Sequence, residues 1–402
     1  RLMRDLRLVA PALAAWGTTA LILTFPQLSA AWTTAIAIGL LVSCAGVAWR
    51  VRRPLTITAV VAMACSAVAV LSTSACLHAL RSGPLAELAA RHATAELTAV
   101  VTGDARTMAT PFARGWTTRA RVHQLAISGD VYDIDVPVSL EFATPPPAPG
   151  TLVSVEGRLS PSGSSIDLAA YVRVDGEPVV LASPDPLAAS ASTLREGLWR
   201  ALDGVEPGAG ALVAGLAVGD ESRTPPVLAA DMRSSGLSHL TAVSGGNVAI
   251  VLGLVLLLGR LVRLRMRWRL LVAAVALAFF VVLVRPQPSV LRAAVMGSIS
   301  LLALTQGSRS RGIPALAAAV ALLVWLAPGL ALSLGFALSV AATAGLLIVA
   351  PLLRHRWGTV HAIAVAAQIA TAPIIAAQGN GLSLVSVPAN ILCAPVVPMV
   401  TV

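Results

Sequence analysis

The chain has 402 residues, 56% of them hydrophobic and only 12% charged, with a mean hydropathy of +0.81. Soluble globular domains carry roughly a quarter charged residues, so this composition excludes an ordinary soluble fold and points to a membrane protein. The net charge of +10 would suit a nucleic-acid binder, but its distribution gives a different account.

A bilayer crossing takes about 20 apolar residues, and ten stretches qualify, at 8–27, 32–49, 55–79, 239–259, 269–285, 288–306, 313–327, 329–353, 359–378 and 383–402. Arginines gather before the first (Arg1, Arg4, Arg7), after the second (Arg50, Arg52, Arg53) and after the fourth (Arg260 to Arg269). They gather again after the sixth (Arg309, Arg311) and the eighth (Arg354, Arg356). Every second loop is therefore basic, which by the positive-inside pattern puts those loops and the amino terminus in the cytoplasm. Most of the excess charge reports topology. Between the third and fourth runs, from Leu80 to Arg200, ten Arg stand against thirteen Asp and Glu, so this external segment is not basic as a whole. Cys44, Cys65, Cys76 and Cys393 lie in apolar runs without metal or redox spacing, as small core residues would. No stretch reads as a cleaved signal peptide.

The external segment changes period. In "VYDIDVPVSLEF", Tyr132, Ile134, Val136, Val138, Leu140 and Phe142 alternate with polar residues, which predicts a half-buried strand. A preceding strand at 116–127 joins it through Ser128, Gly129 and Asp130, a hairpin signal. Further strands are expected at 97–102, 152–159, 166–174 and 179–182, with "TPPPAPG" (144–150) as a stiff breaker. Five or six short strands suggest a small closed barrel of the OB type, with a sandwich fragment as competitor. "TLREGLWRALDGV" and "PPVLAADMRSSG" then read as short amphipathic helices. The layout predicted is three amino-terminal spans (1–85), an external β domain (86–190), interfacial helices (191–238) and a further set of spans (239–402).

Within the fourth run stands "HLTAVSGGNVAIVLG", His239 to Gly253. Gly245 and Gly246 are poor helix formers, and Ser244 and Asn247 compete for backbone hydrogen bonds, so a helix break is expected there. Irregular backbone at membrane depth survives only inside protein or along a wet cavity. A half-helix starting near Asn247 would turn free N–H groups outward and attract anions such as phosphate; a simple Gly-Gly kink is the alternative. Arg292, four residues into the sixth run, is the other charge at depth, and snorkelling to the surface is its bland reading. An intramembrane serine hydrolase built on Ser244 and His239 would need both on one face with a third group to orient the base; residues five apart on a helix do not share a face. No Asp or Glu lies within an expected span to hold a coupling cation.

"ALVAGLAVGDESRTPPVLAADMRSSGLSHLTAVSGGNVAIVLG" (211–253), "PSVLRAAVMG" (288–297), "LSLGFALSVAATAGL" (332–346) and "AAQIATAPI" with "VPANILCAPVVP" (366–398) resemble, in the same order, the motifs of the ComEC-type competence proteins. The resemblance implies a multi-pass channel in the bacterial cytoplasmic membrane that moves single-stranded DNA inward, with a DNA receptor and a cytoplasmic helicase as partners. It implies no enzyme activity and no cofactor or metal in this segment, because the family's metallo-beta-lactamase-like domain and its His-rich cluster are missing. Where many members carry "SGLHV" this chain has "SGGNV" at 244–248, so no role passes to a His there. Beginning at Arg1 and stopping in an apolar run at Val402, the chain is expected to be a segment of a longer protein. The DNA path is expected to pass Ser244, Gly245, Gly246 and Asn247, with His239 and Arg292 near its outer mouth. Arg106, Arg114, Trp116, Arg119, Arg121 and His123 are the candidate external face, since Arg119, Arg121 and His123 alternate and would share one side of a strand. A transporter or scaffold for another polar solute, with the β domain as a docking module, is the competing reading.

Overall fold

A computed structural model describes residues 7–25, 39, 54–110, 113–127, 130–163, 165–235, 237, 245–285, 288–305, 312–377, 385–393 and 400. In chain order these form α1 (Val9–Thr24), α2 (Pro54–Arg81), α3 (Pro84–Ala90), β1 (Thr94–Val101), β2 (Arg106–Thr110), β3 (Ala113–Ile127) and β4 (Asp130–Phe142). Then come β5 (Leu152–Pro161), β6 (Ala170–Val174), β7 (Val179–Ala182), α4 (Pro186–Ala201), α5 (Pro207–Val218) and α6 (Pro226–Ser234). The remainder is helical: α7 (Gly245–Leu261), α8 (Met266–Val284), α9 (Pro288–Thr305), α10 (Gly312–Leu326), a 3-10 turn (Pro328–Leu332), α11 (Leu334–Ile348), α12 (Ala350–Ala377) and α13 (Ser386–Cys393). Contacts divide the chain into a β unit, Ser74–Ala201, and a helical unit formed by Arg1–Thr73 with Leu202–Val402.

In the β unit the strand pairings return on themselves. β1 pairs β3, β3 pairs β4, β4 pairs β6 in parallel, β6 pairs β5, and β5 pairs β1 again, so five strands close a ring. β2 extends β3 and β7 extends β5 outside that ring. Closure leaves the five strands no open edge to pair with other chains. The core is built from the inward halves of the alternating strands: Leu97, Val122, Leu125, Val138, Leu140, Val153, Leu159 and Val172 are essentially inaccessible, and Leu85 and Ala89 of α3 pack into the same cluster.

Two details of these strands depart from strict alternation. The β3–β4 hairpin is longer than the other strands, 15 and 13 residues against 4 to 10, and it overhangs the ring. Tyr132, expected to face inward, is therefore exposed, as is Val131; regular burial begins at Val136. At His123 the register of β3 shifts against both neighbours, a β-bulge, and the exposed run His123–Gln124 resets the phase before buried Leu125. The strand expected at 166–174 is confined to Ala170–Val174, and β2 is a strand that the residue pattern does not announce.

The helical unit packs at several places among the described residues. α1 packs on α10 and the 3-10 turn: the Trp16 indole donates to the Ala331 carbonyl at 2.8 Å and its ring meets Phe336 edge-on at 5.3 Å. α7, α8 and α9 pack together through Val248, Leu277, Phe280, Val284, Val290 and Ala293. α11 and α12 lie so close that a Cβ on Gly345 would come within 2.6 Å of the Ala366 carbonyl oxygen and 2.7 Å of Ala370 Cβ. A residue without a side chain at such a contact lets two helix backbones approach closely.

Ten crossings are not what the helices give. Among the described residues two helices, Ile57–Arg81 and Met266–Val284, are long and apolar enough to cross a membrane, and Leu334–Ile348 with Ala350–Arg356, bent by 50°, makes a third if the pair is one span. An apolar run measures composition, whereas a helix ends at its caps. Ser333 accepts from the Phe336 N–H and starts α11 inside the run 329–353, and Gly358, at φ 72°, breaks α12 near the start of the run 359–378. Shorter apolar helices, such as Val9–Thr24, Asn247–Leu261 and Gly312–Leu326, fill much of the rest. Nearly all of the run 32–49 and much of 383–402 lie outside the described residues. α5 was not among the expected elements, since Gly and Ala dominate it; its start is nevertheless marked by Glu206, which accepts from the N–H groups of Gly208 and Ala209, followed by Pro207.

Candidate nucleic-acid interface and buried polar residues

On the β unit, residues paired directly across strands share a face. Arg106 of β2 lies opposite Thr117, Arg119 opposite Ser139, and Arg121 opposite Pro137, while Ser139 and Glu141 of β4 lie beside Tyr171 and Arg173 of β6. The outer surface of β2, β3, β4 and β6 is thus one continuous face bearing Arg106, Arg119, Arg121, Tyr171 and Arg173. Trp116 is on the other side of β3, packed partly buried against the ring's core, so it is not the aromatic of this face. Tyr171, 37% exposed, is. It was legible in the alternation of "AYVRV", where Ala170, Val172 and Val174 are buried and Tyr171 and Arg173 point out.

Carboxylates share this face. Asp135 accepts from Arg121 Nη1 at 2.7 Å and lies 3.8 Å from His123 Nδ1, Asp133 accepts from Gln124 at 3.3 Å, and Glu141 lies 3.9 Å from Arg173 Nε. Both partners of the Arg121–Asp135 pair are about half exposed or more, so its net worth is at most ~1 kcal/mol; its effect is to cancel a positive charge locally. Arg119 is exposed and makes no ion pair among the described residues. Arg106 is also exposed. Arg114 lies opposite Ala109 at the β2–β3 end, and its side chain is outside the described residues.

In the helical unit, α7 starts at Gly245, so Gly245 and Gly246 form its first turn and the helix begins two residues before Asn247. At 17 residues it is about 25 Å long, short of a full crossing. His239 and Ser244 lie outside the described residues. Asn247 is 3% exposed, and its Nδ2 donates to the Leu216 carbonyl at 2.9 Å. Leu216 belongs to the last turn of α5, which ends at Gly219 with φ 68°. The last carbonyls of a helix lack intrahelical partners, and Asn247 serves one of them from a helix 31 positions away.

Arg292 sits in the second turn of α9, 5% exposed, and its Nε and Nη1 have no hydrogen-bond partner among the described residues. Surface snorkelling is thereby overturned as its account. Arg285 closes α8 with a left-handed φ of 71°.

A small closed barrel, together with a set of apolar helices that keeps polar side chains buried, defines a protein compatible with residence in a membrane. Residues 216–402 match the model of the Competence protein family. The matched stretch begins in the last turn of α5, in keeping with the resemblance to ComEC-type proteins. The match suggests a role in DNA uptake during competence. No curated protein and no solved structure matches the chain.

Proposed function

We propose that the chain is the membrane-channel portion of a DNA-uptake protein, passing single-stranded DNA inward across the bacterial cytoplasmic membrane. The observation that carries this reading is the Competence match over residues 216–402. The amino terminus is cytoplasmic, the helical unit crosses the membrane several times, and the β unit stands outside. The ring order β1-β3-β4-β6-β5, with a parallel β4–β6 pair, supports an OB-type barrel, whose second and third strands commonly offer an oligonucleotide face. Here those strands are β3 and β4. Exposed Tyr171 with Arg106, Arg119 and Arg173 supplies the combination of stacking surface and positive charge that single strands favour. The path runs past His239, Ser244, Gly245 and Gly246, with Asn247 fixing the start of α7 and Arg292 beside it. Upstream receptor and downstream helicase partners complete this reading.

The test is import of labelled DNA by competent cells whose only copy of the gene is deleted and then restored in full length. Import that vanishes on deletion and returns with the gene supports translocation. Unchanged import in the deletion strain, or import that returns with a gene lacking residues 245–402, sinks it.

A further inference from the structure

A guanidinium removed from water must find acceptors, because a buried unpaired charge is among the least tolerated arrangements in a protein. Arg292 is in that position. The residues flanking it, Val290 and Ala293, are 0% and 7% exposed and belong to one cluster with Val248 of α7 and Leu277, Phe280 and Val284 of α8. Two of its three nitrogens lack acceptors among the described residues. No carboxylate lies within ion-pair distance of it among the described residues, and after Asp231 the sequence contains no Asp or Glu up to Val402, while twelve arginines fall in the same stretch. The other arginines of that stretch sit in or beside the basic loops, at 260–269, 309–311 and 354–356, or at helix ends, as Arg233 and Arg285 do. Arg292 is the buried one among those described. It also lies in the second turn of α9, close to the positive end of that helix, where a cation is unwelcome and an anion is welcome. A ligand can supply the counter-ion that the described residues do not offer.

We infer that Arg292 is an oxyanion-binding residue of the helical unit and that its occupant is a phosphodiester of the strand proposed above, so the inference rests on that reading. The guanidinium remains charged at any working pH and offers a planar set of donors that matches phosphate oxygens. A phosphodiester carries one negative charge, which neutralises one arginine and no more. A single such contact, with no acidic neighbour, holds each phosphate briefly and releases it to the next. Phospholipid headgroups carry the same phosphodiester chemistry, so the test separates the two sources.

The full chain is purified in a maltoside detergent, which contains no phosphate. Its melting temperature is then followed against dodecathymidylate, the uncharged methylphosphonate analogue of that oligomer, and short-chain phosphatidylglycerol. Wild type, R292M and R292K are compared. The expected result is that dodecathymidylate raises the melting temperature of wild type, while the methylphosphonate analogue does not. The apparent affinity should fall roughly 10- to 100-fold in R292M, the range for losing a hydrogen bond to a charged group, and less in R292K. Without ligand, R292M should melt at or above wild type, because an unpaired buried charge has been replaced by an apolar chain. If R292M melts below wild type or fails to fold, the arginine is a structural member and the inference falls. An equal ligand response in R292M sinks it too. A response to phosphatidylglycerol alone removes the strand as occupant. The two levels are separable: unchanged import in the deletion strain sinks translocation whatever Arg292 binds, whereas intact import with phosphodiester binding indifferent to R292M sinks this inference alone.

Discussion

The side-chain amide of Asn247 and the carbonyl of Leu216 meet at 2.9 Å, joining the first turn of α7 to the last turn of α5. Changing Asn247 to Leu leaves that part-buried carbonyl without its donor, which costs about 1–3 kcal/mol. The expected outcome is a lower melting temperature of the purified chain. DNA import should fall several-fold beyond the loss of folded protein, since the start of α7 shifts with it. Import that merely tracks protein level would make Asn247 a strut and no more.

The α11–α12 contact gives a paired prediction. Ala at Gly345 would drive a methyl against the Ala366 carbonyl and Ala370, so G345A should destabilise by about 1–3 kcal/mol. Gly253, inside α7, has open space where its Cβ would be, and G253A should stabilise by up to about 1 kcal/mol through helix propensity. Both are read by thermal melting in detergent; the same sign for both would contradict the packing described.

Glu206 caps α5 through two backbone N–H donors, Gly208 and Ala209, which hold its carboxyl below the ordinary value of 4.5. The folded state therefore binds this proton less tightly than the unfolded chain does. The stability it contributes is complete above pH 4.5 and is lost as the pH falls through the lower folded value. E206Q should melt below wild type at pH 7, and the gap should close in acid. A gap that is constant with pH would show that the charge is not what caps the helix.

On the outer face of the barrel, Y171A should weaken single-strand binding by about 1–3 kcal/mol with little change in salt dependence, the signature of lost stacking. R119A should weaken it and flatten the salt slope. D135N releases Arg121 from its 2.7 Å ion pair and should strengthen binding and steepen the slope. Fluorescence anisotropy of labelled oligothymidylate with the full chain, at several salt concentrations, reads all three. Indifference to all three substitutions would remove this face from the path.

Much of the β unit was legible because alternation is a local property. The inward set of β4 from Val136 to Phe142 and the outward placing of Arg119 and Arg121 follow from period two alone. The bulge at His123 and the overhang at Tyr132 were not, since both depend on where neighbouring strands begin and end. In the helical unit, composition marked the apolar runs, and the break at Gly358 falls at the edge of one, but it did not mark the helix start at Ser333 inside a run or the short capped helices. Asn247 and Arg292 stood out as polar residues in apolar runs. What the first binds and what the second lacks depend on contacts that no spacing encodes.

Trp16 and Ala331 are 315 positions apart in the chain and hydrogen-bonded in the folded protein. At a synthesis rate of roughly 5–20 residues per second, some 15 to 60 seconds pass between the emergence of one and of the other. During that interval α1 has been made and α10, on which it packs, has not. The whole β unit is translated in between and can close its ring first. The apolar side of α1 must therefore be covered by lipid or by a chaperone until its own partner arrives, which makes assembly of the helical unit a late and order-dependent event in the life of each molecule.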